Sequence, residues 1–249
     1  MAYQLMASLY DQFMEDAPYD NWVEFTKKII EKYHLKAANV IDLGCGTGEI
    51  TLKLAKEFNI TGVDYSTDML TIASQKANEE NVKVNWIHQD LRELEGLNNF
   101  DLAISYCDVI NYITTEEDVQ EVFLHVSQAL NDHGIFIFDV HSIKHVVEDL
   151  IGNSFSDVTE DSAYIWTCYP SEIEGEMFHE LTFFKSNGNT YERFDESHHQ
   201  RTFPIKVYQQ LLNHAGFEIL AFHRDFLLED DFSEGEAERI FVIAQKRTR

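Results

Sequence analysis

Val40-Ile41-Asp42-Leu43-Gly44-Cys45-Gly46-Thr47-Gly48 is an apolar run that ends in a glycine-rich turn, and Asp64 follows Asp42 by 22 residues. The short apolar run 39–43 reads as a buried strand. The glycine turn then feeds a helix carrying Ile50, Leu52, Leu54 and Ala55. Gly44 permits a tight strand-to-helix turn, Gly46 lets backbone approach a ligand with no side chain between, and Gly48 permits close helix-to-strand contact. Asp64 follows the next strand, 59–63, where a carboxylate is placed to accept hydrogen bonds from two ribose hydroxyls.

Working outward, Asn21 caps a predicted helix over 21–33, striped by Trp22, Phe25, Ile29, Ile30 and Tyr33. Downstream come a helix over 67–79, strands over 82–87 and 100–105, a helix over 116–130 and an apolar strand over 135–140. Short apolar strands alternating with amphipathic helices predict an α/β fold whose mostly parallel sheet gathers its ligand loops at one edge. After Val140 the rhythm breaks. Runs at 164–169, 177–184 and 190–203, with an Asn187-Gly188 turn, predict an antiparallel β insertion above that edge. A helix over 205–215 ending at Gly216, then strands over 217–222 and 240–244 flanking a solvated loop at 229–238, complete the main sheet. The expected division is a helical, aromatic lid segment at 1–38, a core at 39–145, the insertion at 146–203 and the completion of the core at 204–249.

Of 249 residues, 44% are hydrophobic, enough for a substantial core. Nineteen Lys and Arg face 44 Asp and Glu, a formal charge of -25. That field repels nucleic acids and anionic lipid, so neither is expected as a partner, and it makes a cationic substrate or a basic protein partner electrostatically reasonable. Cys45, Cys107 and Cys168 form no framework, no leader pattern opens the chain and no apolar run is of bilayer length; a cytoplasmic location is expected. No third ligand accompanies His141 and His145, so no metal is expected.

The turn reads G-x-G-x-G with Glu49 directly after it, not the G-x-G-x-x-G that sets a pyrophosphate on a helix N-terminus. Acidic Asp42 and Glu49 favour an adenosyl ligand with a cationic tail. Here the chain resembles the class I S-adenosylmethionine (SAM) dependent methyltransferases over most of residues 39–140, with weaker similarity to both ends. The resemblance implies a Rossmann-like seven-stranded sheet in the order 3-2-1-4-5-7-6, strand 7 antiparallel. It also implies that the turn, Cys45 included, cradles the methionyl part of SAM, that Asp64 and Tyr65 lie at the ribose, Met69 near the adenine, Asp90 at the adenine amino group and Leu91 against the ring. Within the family the chain resembles the small-molecule branch that includes sugar and glycine N-methyltransferases, and the YqeM-like bacterial group. These imply methyl transfer to a nitrogen or oxygen of a small molecule, leaving S-adenosylhomocysteine (SAH).

The family's aromatic lid makes Tyr10, Tyr19 and Trp22 candidates for cofactor contact, with Tyr19 read in a loop after Pro18 and also as a catalytic candidate. At the exit of the fourth strand, Tyr106 is a candidate cofactor wall, Asn111 a catalytic and Tyr112 an acceptor-pocket candidate. His141, following the fifth strand, is the candidate proton acceptor. Strand alternation puts His199 and Arg201 on one face, and these are the candidate acceptor contacts, opposite His198 and Gln200. A purely regulatory SAM-binding module is the alternative reading; a nicotinamide oxidoreductase fails on the glycine spacing.

Overall fold

A computed structural model describes residues 17–228 and 232–248; Tyr10 lies outside them. The first helix, α1 (Tyr19–Lys32), leads into β1 (Asn39–Leu43), α2 (Glu49–Leu54), β2 (Asn59–Asp64), α3 (Thr67–Glu79), β3 (Asn85–His88), β4 (Phe100–Ser105), α4 (Glu116–Ala129) and β5 (Leu130–His141). An insertion then supplies β6 (Ser154–Val158), β7 (Ser162–Pro170), β8 (Glu176–Ser186) and β9 (Tyr191–Arg201). The chain returns through α5 (Ile205–His214), β10 (Phe217–Arg224) and β11 (Arg239–Lys246).

The seven-stranded sheet has the order β10-β11-β5-β4-β1-β2-β3. Strands β1 to β5 pair in parallel, while β11 runs antiparallel to both β5 and β10. This is the expected methyltransferase order. The inner strands β1, β4 and β5 are buried on both faces over most of their length, which is why they read as short apolar runs, whereas the edge strand β3 is partly exposed. Phe136 and Phe138 point to the layer of α4 and α5, packing among Phe123, Tyr208 and Phe217. Ile135 and Ile137 point the other way, to Phe25, Ile29, Ile50 and Leu54 of α1 and α2. Thr115 caps α4, its Oγ1 accepting from Asp118 N.

Strands β6-β7-β8-β9 form the separate antiparallel sheet. Its inner residues Trp166, Cys168 and Met177 pack on Val146 and Leu150, which belong to the π-helical stretch His145–Leu150. The edge strand β6 is absent from the sequence reading. Ser154-Phe155-Ser156-Asp157-Val158 is polar and mostly exposed, held by backbone pairing to β7 and by Phe155 against Trp166, so no apolar alternation marks it. Several boundaries also move, β5 starting at Leu130 rather than Ile135. Helix α1 begins at Tyr19, not Asn21, because Asn21 N donates to Pro18 O and starts the first turn there. Strand β3 begins at Asn85, not Val82, because Val82 N closes on Ala77 O at the end of α3. Residues 234–236 of the acidic loop form a short 3-10 turn. Among the described residues no helix is long and apolar enough to cross a membrane.

Asn111 joins the two sheets. It is fully buried; its Oδ1 accepts from His141 N at 3.0 Å, at the end of β5, and its Nδ2 donates to Arg201 O at 3.0 Å, at the end of β9. Thr202 Oγ1 adds a bond to His141 O, 2.5 Å away. An Asn111→Leu substitution keeps the volume but strands a backbone donor and a backbone acceptor. It is expected to cost about 1–3 kcal/mol for each group left unpaired, read as a lower urea midpoint with an unchanged slope.

Candidate functional site

The turn after β1 is pressed from two sides and open on a third. Gly44, Gly46 and Gly48 all have φ in the left-handed region, at +77°, +53° and +84°. A Cβ on Gly44 would meet Val109 Cγ1 at 2.4 Å, and one on Gly48 would meet the Trp86 ring at 2.9 Å. A Cβ on Gly46 would meet nothing within 4 Å. Gly44 and Gly48 are therefore required by packing, whereas Gly46 keeps backbone bare toward open space. Gly46 N donates to Asp64 Oδ2 at 2.8 Å and Ser66 N to Asp64 Oδ1 at 2.8 Å, so the carboxylate ending β2 is locked against the turn.

The corner is acidic and poorly solvated. Asp42, 4% exposed, takes a hydrogen bond from Thr51 Oγ1, yet burial pushes its carboxyl up to about 7. Burial also raises the Asp64 carboxyl, against the backbone donors of Ser66 and Gly46. A cation bound beside these carboxyls would lower both and favour their ionised forms. Farther along, Asp90 accepts from Arg92 N, Nε and Nη2, and that guanidinium keeps its carboxyl below the ordinary range. Glu49 pairs with Lys76 at 2.6 Å.

Behind this corner, the β4 exit adopts a conformation that side-chain-bearing residues avoid. Cys107 and Asp108 have φ of +58° and +53°, a local cost of about 1–3 kcal/mol each. Asp139, fully buried in β5, compensates it by accepting from both backbone groups, Cys107 N at 3.3 Å and Asp108 N at 2.7 Å. The same carboxylate takes Trp22 Nε1 at 2.6 Å and Arg239 Nη1 at 2.8 Å. Arg239 bridges on to Asp108 at 3.1 Å. Burial alone would raise the Asp108 carboxyl; His141, Arg239 and Gln200 around it outweigh that and hold it well below the usual range. Tyr106 is anchored through its hydroxyl to Thr26 Oγ1 at 2.7 Å.

These pieces enclose one cavity of about 820 Å³. Gly44, Cys45, Gly46, Asp64, Tyr65, Met69, Asp90 and Leu91 line it at one end, with Tyr19, Trp22 and Tyr106 along a wall and Tyr112 at the other end. Gly48 is packed beneath and does not line it. Asn111 is not exposed to it; its amide is consumed between β5 and β9. His141 sits behind Asp108, Nε2 3.6 Å from Oδ1, and does not line the cavity either. Tyr19 belongs to a helix rather than a loop, although it does face the cavity. His199 stacks on Phe178 and bonds Glu176 at 2.9 Å, while Arg201 reaches Thr114 O and lies over Phe203. The alternation along β9 was read correctly, but its other face, with Glu196 and His198, meets the cavity.

Sequence reasoning missed Asp108, Asp139, Arg239, Glu196 and His198. For Asp139 a signal existed: a lone carboxylate inside the apolar run Ile135-Phe136-Ile137-Phe138-Asp139-Val140 demands buried partners. The Asp42 carboxyl has a measurable signature. Between pH 4 and 7 the folded chain holds a proton that the unfolded chain, with an ordinary carboxyl, has lost, so this residue's contribution falls as pH rises through that window and is flat above it. Relative to Asp42→Asn, the wild type is expected to lose up to about 4 kcal/mol of stability from pH 4 to 7, measured by denaturant unfolding across pH.

A family model described as a methyltransferase domain matches residues 40–134. The YqeM protein of Bacillus subtilis (strain 168), whose name places it among the methyltransferases, is 40% identical over 248 residues, 99% of this chain and 98% of that protein. The crystal structure of a SAM-dependent methyltransferase from Clostridium acetobutylicum superposes with a TM-score of 0.89 at 28% identity, covering 100% of both chains. The SAM-bound structure of CalS10, an amino pentose methyltransferase from Micromonospora echinaspora, superposes at 0.78 and 17% identity, covering 96% of both and sharing the fold. An open Gly46, a locked Asp64 and underneutralised carboxylates fit a cationic adenosyl cofactor, which supplies an electrophilic methyl group when bound. The chain belongs to the SAM-dependent methyltransferases, in the group typified by YqeM.

Proposed function

We propose that the chain transfers the SAM methyl group to a nitrogen or oxygen of a small molecule, with the insertion at 146–203 as the acceptor-side wall of a core spanning 39–145 and 204–249 and segment 1–38 as its lid. The observation that carries this reading is the continuity of the cavity, from the Asp42 and Asp64 corner to a polar end made by Tyr112 and by Glu196 and His198 of the insertion. A cleft that joins a cofactor corner to a walled polar end suits an acceptor that enters whole. The amino pentose specificity of the structural neighbour CalS10 is in keeping with an acceptor of that size.

In this reading Asp64 accepts the ribose hydroxyls, Gly46 gives the methionyl part its bare backbone, and Asp42 and Asp64 balance the cofactor's positive charge. Asp90, Leu91, Met69 and Tyr65 hold the nucleoside. Tyr19, Trp22 and Tyr106 exclude water from the line between acceptor and methyl carbon, which is what in-line transfer requires of a protein. The charge of -25 disfavours polyanionic acceptors.

Calorimetry with SAM is expected to show saturable binding that Asp64→Ala weakens by about 1.5–3 kcal/mol per charge-assisted bond lost, roughly ten- to hundredfold in Kd. Because the cation favours an ionised Asp42, binding below pH 7 should release protons and tighten as pH rises toward 7, seen as a dependence of the binding heat on buffer ionisation. Turnover is read as SAH formation over a panel of amino sugars, amino acids, polyamines and phenols. SAH from at least one supports the proposal; tight SAM binding with none would point instead to a regulatory module.

A further inference from the structure

The inner face of β9 presents Glu196 and His198 to the cavity at alternate positions. His198 Nε2 lies 3.1 Å from Glu196 Oε2, and His198 Nδ1 lies 3.1 Å from the Tyr112 hydroxyl, which comes from the turn after β4. The imidazole meets the phenol edge-on, ring centres 5.8 Å apart. A carboxylate only accepts, so Nε2 carries the proton; in the neutral ring Nδ1 is then the acceptor and the phenol must donate to it. Tyr112 is 45% exposed as a residue; desolvation around its hydroxyl and the Asp108 charge still push the phenol above its ordinary value, so it holds its proton at rest. The side chains of Glu196 and His198 are 16% and 29% exposed, which leaves the imidazole a route to bulk water.

We propose that Tyr112, His198 and Glu196 form the proton relay for methyl transfer, with Tyr112 the residue that touches the acceptor, His198 the proton store, and Glu196 the positioning residue that fixes the imidazole tautomer. This rests on the small-molecule reading above. As the acceptor's nitrogen or oxygen lone pair bonds to the methyl carbon, the carbon–sulfur pair leaves on sulfur. The acceptor's proton moves to Tyr112 Oη, its bonding pair staying on the acceptor atom, while the Tyr112 proton moves to His198 Nδ1. The phenol is thereby restored without becoming a free phenolate, and the imidazolium, paired with Glu196, returns its proton to solvent. Three inner-face positions in a row, Glu196, His198 and Gln200, are polar and directed inward, Gln200 bonding Asp108 at 2.8 Å. The groups that face His198 are Glu196 on its own strand, His179 opposite it on β8, and Tyr112 and Asp108 on the turn after β4.

The test uses the full chain, labelled with ¹⁵N-histidine and saturated with SAH, the His198 signal being identified by its loss in His198→Gln. The relay predicts a neutral ring protonated on Nε2, an Nδ1 resonance that moves in Tyr112→Phe, and a titration midpoint that falls by about one pH unit in Glu196→Gln. With any acceptor that yields SAH, Tyr112→Phe and His198→Gln should lower kcat by about 10²–10⁴-fold with an unchanged KM for SAM, and Glu196→Gln should shift the acid limb of the pH profile. A ring protonated on Nδ1, a signal indifferent to Tyr112→Phe, or a retained kcat overturns the relay. If the wild type binds SAH but methylates nothing in the panel, the small-molecule reading fails and the relay with it; turnover accompanied by a ring protonated on Nδ1, or by a signal indifferent to Tyr112→Phe, overturns the relay alone.

Discussion

Asp139 accepts hydrogen bonds from Trp22 on the first helix, from Cys107 and Asp108 at the exit of the fourth strand, and from Arg239 on the last strand. A carboxylate this deep is tolerable only when its lone pairs are filled, and here the donors come from parts of the chain far apart in sequence. Its placement makes the β4 exit follow a left-handed path through two residues that would otherwise avoid it. That path brings Val109 onto Gly44 and sets Asp108 beside Arg239 and Gln200. The glycine turn, the first helix and the insertion are thus mutually positioned through one buried side chain. Replacing one partner leaves the others unsatisfied, so effects at this cluster are expected to be strongly non-additive.

The charges along the cavity fall into unlike kinds. At the turn, Asp42 and Asp64 are buried beside each other with neutral donors, and their carboxyls are pushed up. At the β4 exit, Asp108 is partly buried but meets a guanidinium and an imidazole, and its carboxyl is pushed down. Burial is common to both; the partner decides the sign. The turn therefore has unspent negative charge for a cationic ligand, whereas Asp108 is already satisfied and serves the architecture. A count of acidic residues would not distinguish these roles, and the formal charge of the whole chain says less still.

What could be read from the sequence follows the range of the interactions involved. The glycine turn, Asp64 and the parallel strands are specified within windows of a few residues, by conformational need at Gly44 and by continuous apolar runs. Alternation told which side chains of β9 share a face. It could not tell which face would meet the cavity, because that depends on how the insertion lies over β5, set by Asn111 and Thr202 at the junction. His199 and Arg201 were accordingly chosen where His198 and Glu196 stand. Asn111 looked like a free polar side chain at a strand exit, and its buried bonds to both sheets are invisible locally. Strand β6 carries no pattern because pairing with β7, not burial, makes it a strand.

The inner face of the insertion meets the cavity in a regular order, and its strand geometry explains how. A β-strand running past a cleft presents every second residue at intervals of about 6.5–7 Å, so the inner side chains of β9 meet the cavity wall in succession. Gln200, nearest the junction, is spent on Asp108; His198, one step farther, meets Tyr112; Glu196, farther again, meets His198. Behind them Gln200 Oε1 accepts from His179, whose other ring nitrogen takes Trp166 Nε1, so the strand is braced from its neighbours rather than from the core. The side chains of β9 that line the cavity are held by a separate sheet, whereas the glycine turn and Asp64 are held by β1, β2 and their neighbours Trp86 and Val109. The two parts of the cavity wall are thus carried by different sheets, joined where Asp108, Asn111, Tyr112, Thr114 and His141 meet the end of β9 and Thr202.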